Sequence, residues 1–210
     1  MTHAEQADDV HFYHPDEGHR LAHDPFKAIV APRVIGWIST QDKAGNVNLA
    51  PYSFFGAFAS FPHVIGFSSE GRKDSLRNIE ETGEFVWNLT SAELAEQMNQ
   101  SAAPVAHGVD EFDLAGLAKG AGRNVQVPHV ADAPASLECK LLQIVRLKGL
   151  DGKDLNNWLV LGQVVGVHIR KAFLKDGLFD TVAANPVMRA GYRGDYLGIG
   201  DTFEMIRPSA

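Results

Sequence analysis

Cysteine is all but missing from this 210-residue chain. Cys139 stands alone, so no disulfide can form within the chain and a reducing compartment is expected. Long apolar runs are missing as well. The most apolar window, residues 52–61, falls far short of the ~20 residues that a membrane-spanning helix needs, and no membrane partner is expected. Residues 1–9 are polar and acidic, with no basic start leading into an apolar stretch; no secretory leader is expected there, and the expected location is cytoplasmic. Basic charge is scarce, with 19 Lys and Arg against 26 Asp and Glu and a formal net charge of −7. That balance excludes nucleic acid or an anionic membrane as the main partner, so any anion site must be local. The chain also lacks a Gly-x-Gly-x-x-Gly loop, a Walker A loop and a Gly-x-Ser-x-Gly elbow. If a nicotinamide nucleotide is used, it must bind without a Rossmann domain.

What is present fits one packed globular domain. The chain is 45% hydrophobic and 21% charged, an ordinary balance for a folded protein of this length. Residues 1–24 carry five of the nine histidines and few apolar anchors, and read as an arm; residues 25–210 read as the domain. Val34 to Ile38, Val47 to Phe55, His63 to Ser69 and Glu84 to Leu89 have the bulk and turn punctuation of strands. Leu137 to Leu147 and Trp158 to Ile169 are the two longest strand candidates and suit a long antiparallel pair. Asp74 to Thr82 reads as a helix: Leu76 and Ile79 share a face, Asp74 or Ser75 can cap it, and Gly83 can end it. A second helix is expected after Thr90 and Glu93, read as a capping box. Residues 101–135, rich in Gly, Ala, Pro and Asp, read as a long loop with one helical turn near Glu111 to Leu117; loops of that length are commonly functional. The sum is mainly β with helices, an α+β barrel or sandwich, and periodicity does not choose between the two.

Two segments have the residues for chemistry. In Ser68-Ser-Glu-Gly-Arg-Lys-Asp-Ser75 a strand ends, a glycine turn follows and a helix begins. Free N–H groups and the dipole at a helix start favour an anion, and Arg72, Lys73 and the Ser75 hydroxyl can complete a phosphate cradle. Taken alone, an exposed helix start with solvated charges is the plainer reading. In Asn46-Val-Asn-Leu-Ala-Pro-Tyr-Ser-Phe-Phe55 small residues beside a proline let a flat ligand approach the backbone, with aromatics at Tyr52, Phe54 and Phe55 to flank rings. Taken alone, that run reads more simply as a strand whose aromatics fill a core.

Pro32-Arg-Val-Ile-Gly-Trp-Ile-Ser-Thr40, Asn48-Leu-Ala-Pro-Tyr-Ser-Phe-Phe55, Lys73-Asp-Ser-Leu-Arg-Asn-Ile79 and Gly83-Glu-Phe85 occur in that order. Glu111-Phe112 before Gly116-Leu117, Leu137-Glu-Cys139, Leu161-Gly-Gln-Val164 and Arg189-Ala-Gly191 with Tyr196 follow. Together they resemble the flavin reductase-like domain family, which includes flavoredoxin-type proteins and reductase components of two-component monooxygenases. The resemblance implies an FMN-binding split β-barrel that forms a homodimer. It implies that Asn48, Ala50, Pro51, Tyr52, Ser53 and Phe54 line the ring and ribityl chain. It places Ser68, Ser69, Arg72, Lys73, Ser75 and Asn78 around the phosphate, and so reverses the two plainer readings above. Val34 and His63 stand where prolines are usual, and neither removes a polar ligand.

The activity so implied is NAD(P)H-dependent flavin reduction, with NADH or NADPH as co-substrate and an oxygenase or electron-transfer protein as a further partner. A flavoredoxin-like carrier without NAD(P)H turnover is the alternative, and a split-barrel binding protein without flavin a third class. The arm histidines His11, His14, His19 and His23 have no cysteine beside them and read as a polar arm, not a metal site. Cys139 shares a strand face with Leu137 and Leu141 and reads as a buried, inert thiol. His107, His129 and His168 are candidate proton donors, each on a weak lone-histidine signal.

Overall fold

The computed structural model describes residues 9–208. The reading of residues 1–9 as lacking a leader falls almost wholly outside them, and that of residues 1–24 as an arm partly so. In chain order the elements are α1 (Phe26–Ile29), β1 (Arg33–Val34), β2 (Gly36–Gln41), β3 (Val47–Tyr52), β4 (Phe55–Ser60), β5 (His63–Glu70), α2 (Asp74–Thr82), β6 (Glu84–Asn88) and α3 (Ala95–Gln100). They continue with α4 (Glu111–Leu114), β7 (Lys119–Gly120), β8 (His129–Val130), β9 (Ala135–Lys148), β10 (Asp154–Ile169), β11 (Leu174–Lys175), β12 (Leu178–Phe179), α5 (Thr181–Ala184), β13 (Met188–Arg189) and β14 (Tyr196–Leu197).

Seven strands form one antiparallel sheet in the order β3-β2-β6-β9-β10-β5-β4. Its two edge strands, β3 and β4, are chain neighbours joined by only Ser53 and Phe54. A flat sheet of that order cannot be closed by so short a link, so the sheet curls until its edges meet. The Ser68 N–H donates to the Phe54 carbonyl at 2.8 Å across that junction. Register irregularities at Leu161/Gly162 and Val164/Gly166 bend the long β9–β10 ribbon and help the curl. The result is the split β-barrel expected from the resemblance, mainly β with short helices.

Strand alternation divides the core. Ile38, Tyr52, Phe67, Phe85, Cys139 and Val160 point inside the barrel, where Leu76 and Ile79 of α2 close one end. Trp37 and Leu49 point outward and are covered by Met98 of α3 and Phe112 of α4. β2 and much of β3 are thus buried on both faces, and the polar side chains buried there, Ser39, Thr40 and Asn48, are hydrogen-bonded.

Two cap expectations need correction. The helix α2 starts one residue early for them: Lys73 is its N-cap and no side chain caps the first turn. Ser75 lies inside the helix, where its hydroxyl meets β3 instead. Gly83 does end the helix, at φ 72°, with its N–H on the Ile79 carbonyl. The second helix begins as a 3-10 turn after Ser91, so Thr90 is not its cap; the Thr90 hydroxyl is buried without a partner.

Gly162 sits at the bend in β10, where a Cβ would run into the Phe85 ring and meet the Cys139 Cβ at 3.2 Å. Gly162→Ala is therefore expected to cost about 2–3 kcal/mol by overpacking, read as a lowered urea midpoint. An unchanged midpoint would mean that Phe85 has room to move.

Candidate functional site

The cleft is built where β3 runs beside the start of α2. Asn48 is buried, and its Nδ2 donates to the Ser75 Oγ at 2.8 Å, tying strand to helix. One residue on, the Leu49 N–H donates to the Glu111 Oε2 at 2.9 Å, which pins α4 behind the strand. The turn that delivers α2 passes through Gly71, whose φ of 80° favours glycine; its N–H donates to the Asn156 carbonyl at 2.9 Å. Ser69 is buried and donates through Oγ to the Gly71 carbonyl at 3.0 Å. Turn and helix start are therefore fixed against β10 before any ligand arrives.

Between these elements lies a cleft of about 380 Å³, lined by Asn48, Ala50, Pro51, Tyr52, Lys73, Asp74, Ser75, Glu111 and the loop 101–105. Pro51 and Tyr52 also border a smaller cavity of about 150 Å³, with Ile35, Ser53, Met98, Arg189 and Tyr196. The two spaces follow one another along β3. At the far end the Arg189 guanidinium lies 4.6 Å from the Tyr196 ring centroid.

Two features give the helix end of the cleft the chemistry to hold an anion. The N–H groups of the first turn of α2 have no side-chain cap. Lys73 makes no ion pair among the described residues, and its Nζ is 6.0 Å from the Tyr52 ring centroid. The Tyr52 Oη is buried without a hydrogen-bond partner, close to the Ser75 and Ser69 hydroxyls. Burial raises the Tyr52 pKa, so the phenol stays a neutral donor. A phosphate monoester at this end, with a flat ring system along Ala50 to Ser53, fits the residues present.

The sequence candidates divide accordingly. Asn48, Ala50, Pro51, Tyr52, Lys73 and Ser75 line the cleft, and Ser53 the adjoining cavity. Ser68 and Ser69 stand behind it at the end of β5, and Phe54 lies half exposed under Arg33. Arg72 is turned to Glu80 along the helix. Asn78 faces the sheet, where its Nδ2 donates to the Thr40 Oγ1 at 3.1 Å. The Tyr52 ring packs in the core on Phe67, 4.5 Å between centroids, and Phe55 stacks on Trp87; neither ring is open to flank a ligand. Glu111 was missed, although it is buried in the cleft wall and its pKa is raised by burial. Glu111-Phe112 is one of the stretches that match the family, but nothing local gives Glu111 a site role, because its partner, the Leu49 N–H, is distant in the chain.

His107 stands beside the helix start, Nδ1 3.1 Å from the Asp74 Oδ2, and Asp74 also pairs with Arg77. His129 and His168 stack on each other in a different cavity. Cys139 is fully buried in the barrel, and burial pushes its thiol pKa up. In the arm, His11 bonds the His19 carbonyl at 2.8 Å and His23 packs near Tyr192.

Comparison with known proteins gives a consistent set. The family model described as flavin reductase like domain matches residues 30–183. An uncharacterized protein of Deinococcus radiodurans is 42% identical over 192 residues, covering 86% of this chain and 82% of that protein. Among solved structures, nitrilotriacetate monooxygenase component B from Bacillus cereus superposes with a TM-score of 0.83 at 28% identity, over 92% of this chain and 98% of that one. Flavoredoxin of Desulfovibrio vulgaris (Miyazaki F) shares the fold, with a TM-score of 0.74 at 22% identity over 84% of this chain and 91% of that one.

Proposed function

This chain belongs to the flavin reductase like domain family, and from that premise we propose that it is an FMN-binding oxidoreductase that takes electrons from NADH or NADPH. The observation that carries the proposal is the uncapped start of α2 beside Lys73 and Ser75. Lys73, Ser75 and the free N–H groups of α2 would hold the FMN phosphate, and Ala50 to Ser53 would lie along the ring. When bound, FMN would supply the redox chemistry, and the chain supplies position and charge. The Lys73 ammonium balances the phosphate at the cleft mouth. Asn48 fixes the Ser75 hydroxyl in place, and the wall formed by the loop 101–105 and Glu111 keeps water from one side of the cleft.

We take residues 25–210 as the domain and residues 1–24 as an arm, in a cytoplasmic protein; among the described residues no helix is long and apolar enough to cross a membrane. The functional unit we propose is a homodimer. Edge strand β4 exposes Phe58, and Phe61 after it is 93% exposed. They lie by a largely apolar groove of about 530 Å³ walled by Val64, Leu137 and Val164, the kind of surface a second subunit covers. The component B relative from Bacillus cereus makes a partner oxygenase the natural electron acceptor.

The purified protein is expected to show flavin absorption with close to one FMN per chain after reconstitution, and to oxidise NADH or NADPH with excess FMN. Absence of flavin binding would overturn the site. Binding without turnover on either nucleotide would sink the reductase reading and leave a flavoredoxin-like carrier.

A further inference from the structure

Beyond the cleft, at the far end of β3, two cations meet that no carboxylate among the described residues neutralises. Arg33 and Arg189 stand directly opposite each other in the β1–β13 ladder, so their side chains leave the same face of that small sheet. Arg33 is only 8% exposed. Its guanidinium donates to the carbonyls of Lys27 and, at 2.9 Å, of Ala190, and its Nε is buried without a partner. Burial, and after it the charge of Arg189, lowers the Arg33 pKa, yet a guanidinium stays protonated. Neither arginine makes an ion pair among the described residues.

Arg189 is the more open of the two. Its guanidinium lies 4.6 Å from the Tyr196 ring centroid and borders the cavity of about 150 Å³ that continues from the cleft. No acidic side chain lines that cavity. Like charges set opposite each other on a ladder cost stability, and a negative charge in the cavity would offset that repulsion. In the function proposed above the FMN phosphate sits at the start of α2, which contributes nothing to this wall. The cations at the far end therefore call for a second anion.

We propose that Arg189 takes the phosphate of the nicotinamide nucleotide, with Arg33 as a second positive charge behind it. The inference rests on the oxidoreductase reading, and it gives the electron donor an anion site in a chain without a Rossmann loop. A guanidinium fork matches phosphate oxygens. Pro51 and Tyr52 border both spaces, so a phosphate at Arg189 leaves the attached nicotinamide on the ring side of the cleft.

The test is calorimetric titration of the FMN-loaded protein with nicotinamide mononucleotide and with nicotinamide riboside, which differ only in the phosphate. The mononucleotide should bind about ten-fold more tightly, the worth of one charge-assisted bond. Arg189→Gln should lose that preference while holding FMN as tightly as the parent, and Arg189→Lys should recover part of it. Inorganic phosphate at equal concentration should not displace the mononucleotide. Equal binding of the two compounds, a preference that survives Arg189→Gln or is not recovered by Arg189→Lys, weakened FMN in Arg189→Gln, or displacement by free phosphate would each overturn the assignment. Oxidation of NADH and NADPH is followed on the same samples. A phosphate preference without turnover keeps the Arg189 site and sinks the reductase reading, and turnover without the preference does the reverse. Protein that takes up no flavin, seen in its absorption spectrum, overturns both.

Discussion

Lys73→Ala combined with Ser75→Ala is expected to weaken FMN about a hundred-fold or more, since each hydrogen bond to a charged group is worth about 1.5–3 kcal/mol and each 1.4 kcal/mol is ten-fold in affinity. Quenching of flavin fluorescence on titration with protein measures it. Lys73 lines the cleft with no ion pair among the described residues, and Ser75 both faces the cleft and receives the Asn48 amide. The two residues are close enough to couple, so the double variant need not equal the sum of the single ones. Arg72→Ala serves as the contrast. The Arg72 guanidinium is paired with Glu80, and its removal should change the affinity little. Unchanged affinity in the double variant would place the phosphate elsewhere, and a large loss in Arg72→Ala would show that the Glu80 pair opens to receive it.

A second large effect is expected for stability at Glu138. Burial alone would raise its pKa, but the bonds from His168 and from the N–H groups of Arg123 and Asn124 overcome that and hold it at about 2. Glu138→Ala leaves those donors unpaired in a buried place and is expected to cost about 3–5 kcal/mol. The pH dependence has a definite sign. The folded-state pKa lies below the unfolded carboxylate value of about 4.3, so the contribution is fully present above that value and is lost as the pH falls toward 2. The gap between parent and variant in denaturant midpoint should be constant near neutrality and close between about pH 5 and 2. A gap that does not narrow in acid would mean that the carboxylate charge is not what holds the loop.

Most strands were legible from turn chemistry, because Asp42 to Asn46, Pro62 and Gly149 to Asn157 punctuate apolar runs. The helix α2 was legible from Leu76, Ile79 and Gly83. Its cap was not, because Ser75 chooses between the helix backbone and Asn48, and only the tertiary fold presents Asn48. The same limit hid the pairing of β1 with β13. Each is two residues long, and the register Arg33↔Arg189 joins opposite ends of the domain.

In the site, residue type made Lys73 and Ser75 candidates, and the family resemblance marked Ala50 and Tyr52. Arg72 and Asn78 carry the same chemistry in the same segment, yet helix geometry turns one to Glu80 and the other to Thr40. Glu111 and the convergence of His129, His168 and Glu138 were invisible for a common reason. Their partners come from separate elements, and no periodic pattern records such a meeting.

The strand order also bears on how the protein is made. β3, β5 and the start of α2 leave the ribosome early, yet in the sheet β9 and β10 stand between β6 and β5. A nascent chain that stops before Ala135 carries nearly every residue of the cleft but has two unjoined pieces of sheet, with the open edges of β6 and β5 where the central hairpin belongs. Synthesis must therefore reach Ile169 before the sheet can close, and until then the unpaired strand edges are open to wrong pairing.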